Sequence, residues 1–251
     1  MIETIIFSKN NPSMLSITLK SIVKHNVNNG EITIINCSNS IYFDAYNNLK
    51  LEHKKQNINW ININEDFKKE LIDFLKTKIK TNNVIFLIEG DVFFENFNCD
   101  LVEQCLNDSD VLCHSLKLGL NTIYCSRMQV ENVIKAEKHN DYIKWNWTKH
   151  YVDFGYPFSL HGHIFNVKTI CKLIKKVKFE NYIELEEGLQ MFEHFPKEFM
   201  TSFNHSKCVA IINIGDNITP EEIKNGASLD YDEDFSYIKQ SEKEIKFKKQ
   251  K

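Results

Sequence analysis

Residues 84–94 read VIFLIEGDVFF. Five apolar residues, Val84 to Ile88, run straight into Glu89-Gly90-Asp91. The run reads as a strand buried on both faces. Unpaired buried charge is expensive, so its two acids belong at a mouth that faces water, a cation or a ligand. Two carboxylates one residue apart can hold Mg2+ or Mn2+ while a nucleotide diphosphate supplies the remaining oxygens; a turn with solvated acids is the competing reading. A second group lies in Gly155 to Phe165, where His161 and His163 flank Gly162. Histidines two apart on an extended chain point to one face and can chelate a metal. No HxxxH or CxxC supplies further ligands, so a loop or a satisfied core pair competes. A third is Asn181 to Glu187, with acids at 184, 186 and 187. Acids at a helix start complement its dipole, and one that projects into a cleft can act as a general base. His205, just before the last apolar run, is a fourth and isolated candidate ligand.

These residues need elements to position them. Thr4 to Ser8 reads as a strand, Lys9 to Pro12 as a turn and Ser13 as a helix cap. Leu15, Leu19, Ile22 and Val23 form a helical stripe, Asn29-Gly30 ends it, and Glu31 to Asn36 is a second strand. That is a βαβ unit with a right-handed crossover. A short strand over Trp60 to Ile63 and a helix with Phe67, Leu71, Phe74, Leu75 and Ile79 inward lead to the opening strand. The first half therefore predicts an open, doubly wound α/β layer, in which ligands bind at the carboxyl ends of strands. Ser8, Ser38, Glu89 and Asp91 all sit at such ends. The second half predicts a strand within Asp110 to Leu118, helices over Lys168 to Val177 and Glu184 to Phe195, a strand over Lys207 to Ile214, and a helix start at Thr219-Pro220.

The chain has 251 residues, 42% of them hydrophobic and 12% aromatic, with 8 glycines and 4 prolines. That supports one large folded domain and excludes collagen-like or linker-rich chains. A net charge of −3 gives no electrostatic footprint for nucleic acid. Seven cysteines, an odd number without CxxC, read as reduced core thiols in a reducing compartment, so a cytoplasmic location is expected. No signal peptide and no transmembrane run is visible. A domain over residues 1–235 is expected, followed by a basic tail over 236–251. The tail reads as a solvated, frayed terminus, with a peripheral membrane contact as the alternative.

Taken together the motifs resemble the GT-A-fold, nucleotide-sugar-dependent glycosyltransferase-like family. The resemblance rests on Ile6 to Pro12, on Cys37 to Ser40 with Phe43 to Tyr46, on Phe86 to Phe94, on Ser115 to Asn121, on Tyr156 to Phe165, on Phe179 to Glu186, and on Val209 to Asn213 with Asn217. It runs over roughly residues 4 to 230. It implies a GT-A-like single domain, α/β, with an open mixed sheet and an N-terminal Rossmann-like nucleotide-binding half. It implies a nucleotide-diphosphate sugar donor, with Ser8, Asn11, Ser38, Glu89 and His163 as donor-binding residues. Asp91 would hold Mn2+ or Mg2+, with His205 as a further ligand, and Glu186 would be the base toward a glycan or other hydroxyl acceptor. Trp145 and Trp147 could stack on acceptor sugar rings, or serve as core aromatics.

The sequence departs from that family in three places. Asn10-Asn11 stands where the family has acid and base, Gly90 where the middle acid of Glu-Asp-Asp is usual, and His161 where an aspartate is usual. A catalytically silent domain that binds a nucleotide, a glycan or a protein is therefore a second expectation. A nucleotidyltransferase is a third.

Overall fold

The computed structural model describes residues 1–25, 27, 30–63, 66–192, 195–213, 218–219, 221–222, 228–230, 239–245 and 248–250. Asn29, Asn217 and Pro220 lie outside the described residues, as do the ends of the expected tail.

The chain opens with β1 (Ile2–Ser8), α1 (Pro12–Lys24), β2 (Ile32–Asn36), α2 (Phe43–Glu52), β3 (Ile58–Asn62), α3 (Phe67–Thr77) and β4 (Asn83–Ile88). Next come β5 (Asp91–Phe93), α4 (Cys99–Leu106), β6 (Val111–Ser115), β7 (Tyr124–Cys125), β8 (Val130–Glu131), β9 (Glu137–Lys138) and β10 (Tyr142–Asn146). It continues with β11 (His163–Asn166), α5 (Val167–Ile174), α6 (Tyr182–Leu189), β12 (Phe199–Phe203) and β13 (Cys208–Asn213). The last elements are β14 (Ser228–Asp230), β15 (Glu242–Ile245) and β16 (Lys248–Gln250).

Nine strands form one mixed sheet in the order β3-β2-β1-β4-β11-β6-β12-β10-β9. β1 to β4 are parallel, and β11 runs antiparallel between β4 and β6. The parallel strands are apolar on both faces, as their composition requires. Ile5, Phe7, Val84 and Phe86 face one layer, made by α3, α5 and α6. Ile2, Ile6, Ile85 and Leu87 face the other, made by α1, α2 and α4. Each such side chain contributes about 1.5–3 kcal/mol on burial. From β1 the chain moves outward to β2 and β3, then returns to the other side of β1 as β4. The switch point thus lies between β1 and β4, where ligand crevices form.

Several boundaries differ from the expected ones. The cap of α1 is Asn11, whose side chain accepts from Met14 N–H, with Pro12 in the first turn, so Ser13 is inside the helix. Residues 242–245 are not frayed. β15 pairs with β13, which pairs with β5, and Ile245 packs with Met14, Ile17, Val92 and Val209. Ile245 is the apolar anchor of that short stretch. All seven cysteines are free thiols, six of them buried. Among the described residues no helix is long and apolar enough to cross a membrane.

Candidate functional site

The loops after β1 and β2 interlock at the carboxyl edge. Asn10 adopts a left-handed φ of 60°, which asparagine tolerates better than most residues. Its N–H donates to Ser38 Oγ at 2.7 Å, and its Oδ1 accepts from Asn39 N–H at 2.8 Å. Ser8 is fully buried, and its hydroxyl lies 2.6 Å from that of Tyr46, which also accepts from Asn11 N–H at 3.2 Å. Burial pushes the Tyr46 phenol up to about 12, so it keeps its proton. Ser8, Asn11 and Ser38 are thus brought together. Ser8 is spent on shaping the loop, while Asn11 and Ser38 are partly exposed.

Across the switch point, Glu89 accepts from Lys9 N–H at 3.1 Å and from the Tyr182 hydroxyl at 3.4 Å. Its other oxygen is buried without a partner among the described residues. Burial pushes this carboxyl up to about 8, so the group is largely neutral at pH 7. Gly90 has φ +102°, and a Cβ there would lie 2.8 Å from the Ile211 carbonyl oxygen. The same backbone contact is used productively, since Ile211 N–H donates to Gly90 O at 2.8 Å. A carboxylate cannot be accommodated at this position without strain. Asp91 is 1% exposed. Its Oδ2 accepts from Ile88 N–H at 2.9 Å and closes the turn, while its Oδ1 lies 2.8 Å from His161 Nδ1.

The loop before β11 supplies that histidine, and Glu186 of α6 holds the loop. Glu186 accepts from Leu160 N–H at 2.7 Å and from the Tyr156 hydroxyl at 3.0 Å. The Arg127 guanidinium lies 5.0 Å from the Tyr156 ring centre. Burial disfavours a charged His161, but Asp91 and Glu186 outweigh it and raise its pKa above the ordinary value. Gly162 (φ +69°) is required here, because a Cβ would lie 2.6 Å from Cys208 Sγ.

His163 faces the other way. It is fully buried, its Nδ1 lies 3.2 Å from the Pro157 carbonyl oxygen, and burial depresses its pKa well below the ordinary value. The expected donor contact of His163 is therefore corrected: this neutral ring braces the loop from beneath. Trp145 and Trp147 are corrected too. They are 1% and 6% exposed, and their indole N–H groups donate to the carbonyls of Phe154 and Lys197, both at 2.9 Å. Neither presents a face to an acceptor. His205 lines a separate surface hollow with Asn96, Asp100 and Lys207, so it does not join Asp91.

The implied Mn2+ or Mg2+ can be tested against these residues. No group of three or more His, Cys, Asp or Glu able to hold a metal occurs among the described residues. Asp91 has both oxygens engaged, position 90 excludes a carboxylate, and Glu89 is turned to Lys9 and Tyr182. The set does not fit a hard cation that takes several oxygen ligands. Four residues at this edge had not been singled out from the sequence as site residues: Tyr46, Lys117, Tyr156 and Tyr182. Lys117, a lone charge in the apolar run after β6, carried the one usable signal.

No protein-family model matches the sequence, and neither does any curated protein. Among solved structures, S. aureus TarS residues 1–349 in complex with UDP matches with a TM-score of 0.56 and 11% identity, over 90% of this chain and 63% of that one. The same protein in complex with UDP-GlcNAc gives a TM-score of 0.56 and 13% identity, over 86% and 60%. A further TarS structure gives 0.54 and 13%, over 90% and 38%. The chain thus spans less than two thirds of the TarS chains it matches. At such identities the likeness speaks for the fold, and that fold is the GT-A-like one of the nucleotide-sugar glycosyltransferases.

Proposed function

We propose that the protein transfers a sugar from a nucleotide-diphosphate donor to a hydroxyl acceptor, a glycan or another alcohol. The observation that carries this reading is the meeting of Asp91, His161 and Glu186 at the carboxyl edge of a GT-A-like sheet, with Asp91 and His161 2.8 Å apart. The solved TarS complexes with UDP and UDP-GlcNAc support it by likeness of fold. In this reading the loops after β1 and β2 take the nucleotide, with Asn11 and Ser38 as its contacts and Ser8 holding them. Glu89, bonded to Lys9 and Tyr182, fixes the width of the crevice.

Glu186 is the proposed base. Each of its oxygens accepts one hydrogen bond and retains a further lone pair. It takes the acceptor's proton as the acceptor oxygen attacks the anomeric carbon. The bond from that carbon to the diphosphate breaks, and the diphosphate leaves with the electron pair. One base and no separate nucleophile give a single displacement with inversion. The Mn2+ or Mg2+ implied by the resemblance takes no part in this step, since Asp91 has both oxygens engaged.

A second reading is favoured by the missing acids: Asn10, Gly90 and His161 stand where carboxylates are expected. A silent domain would bind the donor without turnover. Release of nucleoside diphosphate from a donor panel with mixed glycan acceptors separates the two. The transferase reading expects turnover in the native chain and its loss in Glu186→Gln, with donor affinity kept within about threefold. A fully active Glu186→Gln would remove Glu186 from the role of base. Tight donor binding with no turnover under any acceptor would establish the silent domain instead.

A further inference from the structure

Lys117 is 5% exposed. Lysine side chains covered to this extent are normally paired. Yet none of the ion pairs among the described residues includes Lys117. Its place in the fold is fixed. The backbone of residue 117 packs on Gly162, with its N and Cβ 3.8 Å from where a Cβ of Gly162 would stand. Its charge is felt at His161, His163 and Cys208. Residue 117 therefore sits against the loop that carries His161 onto Asp91.

A divalent cation would need several free carboxylate oxygens at this edge, and Asp91 has both of its own engaged. The middle acid is replaced by a glycine with φ +102°, and the carboxylate of Asp91 is met by an imidazole. Lys117, a largely covered side chain, stands beside them without an anionic partner among the described residues. What such a site lacks is a ligand with negative charge. His161 spends Nδ1 on Asp91, which orients the ring and leaves Nε2 as a donor for a ligand oxygen.

We propose that Lys117 and His161 together bind the diphosphate of the donor and take the place of a divalent cation. This rests on the donor reading given above. The ammonium acts as a point charge and the imidazole as an oriented donor, both aimed at the oxygens on which charge develops as the bond to the sugar breaks. Asp91 is then a positioning residue, which fixes the ring rather than a metal.

Calorimetric titration of the full chain with UDP, GDP and dTDP, in EDTA and in MnCl2, tests this. The diphosphate that binds is expected to do so with affinities within about twofold in the two buffers. Lys117→Met is expected to weaken it by at least about tenfold, and His161→Gln likewise. The unliganded Lys117→Met protein should melt close to the native temperature, because no ion pair among the described residues is lost. Binding that is lost in EDTA and restored by Mn2+ overturns the proposal, as does native affinity in a folded Lys117→Met. The metal comparison on the native chain stands even if a variant fails to fold. No binding of any diphosphate in either buffer contradicts the donor reading itself, and this inference with it.

Discussion

Two sets of loops meet at the carboxyl edge of the sheet, and they treat their polar groups in opposite ways. After β1 and β2, Ser8, Asn10, Asn11, Ser38 and Tyr46 bond to one another or to nearby backbone. After β4, after β6 and before β11, the ionisable groups are incompletely matched. Glu89 has a buried oxygen without a partner, and Lys117 forms no ion pair, among the described residues. A satisfied network holds a shape by itself. An unsatisfied one is retained where a ligand completes it. In the proposed reading, the first set of loops shapes the donor site and the second acts on the donor.

The sharpest way to break the contrast is to remove the one carboxylate that both closes a turn and meets a histidine. Asp91→Ala leaves Ile88 N–H and His161 without their acceptor. It is expected to lower stability by about 3–5 kcal/mol in a denaturant titration. A loss below 1 kcal/mol would mean that the pair contributes little.

Next in size is the pH response of Glu89. Its carboxyl titrates near 8 in the folded chain, against an ordinary value of 4.5. The folded state therefore holds a proton that the unfolded chain releases in this window. Its contribution is complete below pH 4.5 and is lost as pH rises toward about 8. The loss amounts to a few kcal/mol, at about 1.4 kcal/mol per pH unit. Glu89→Gln, which keeps the acceptor for Lys9 N–H, should flatten the fall in melting temperature across this range. An unchanged slope would show that Glu89 is not the group responsible.

Gly90→Asp sharpens the comparison from the other side, by restoring an acid the crevice lacks. With φ +102° and a carbonyl oxygen 2.8 Å from the new Cβ, it should destabilise by about 1–3 kcal/mol and create no Mn2+ affinity in calorimetry. Stable, tight Mn2+ binding would refute the steric account. Smallest is Ser8→Ala in the self-satisfied loops, which removes one buried hydroxyl from Tyr46 and should cost about 1 kcal/mol.

The same contrast explains what could be read in advance. The apolar runs of β1 and β4 and the periodic stripe of α3 made the parallel layer legible, and with it the place of Glu89 and Asp91 at strand ends. The open mixed sheet and the GT-A-like fold were implied by the resemblance of the motifs; the count of nine strands was not. Partners distant in sequence were not legible. Nothing local tells that Asp91 meets a histidine 70 positions away, or that His163 turns inward while His161 does not. Trp145 and Trp147 misled because an indole with its N–H on a backbone carbonyl is as good a core residue as a sugar platform. The α2 and α4 helices went unnoticed, being short and flanked by polar residues. The loss of an acid at position 90 was visible, but the backbone angle that forbids one was not.

The most direct test of the central claim is the melting temperature of the full chain with UDP-, GDP-, dTDP- and CMP-sugars. A nucleotide sugar present at about 100 times its Kd should stabilise the fold by roughly 2.7 kcal/mol. A rise with the sugars of one nucleotide is expected, diminished in a folded variant carrying Ser38→Ala and Asn11→Ala. No rise with any of the four at saturating concentration would contradict it.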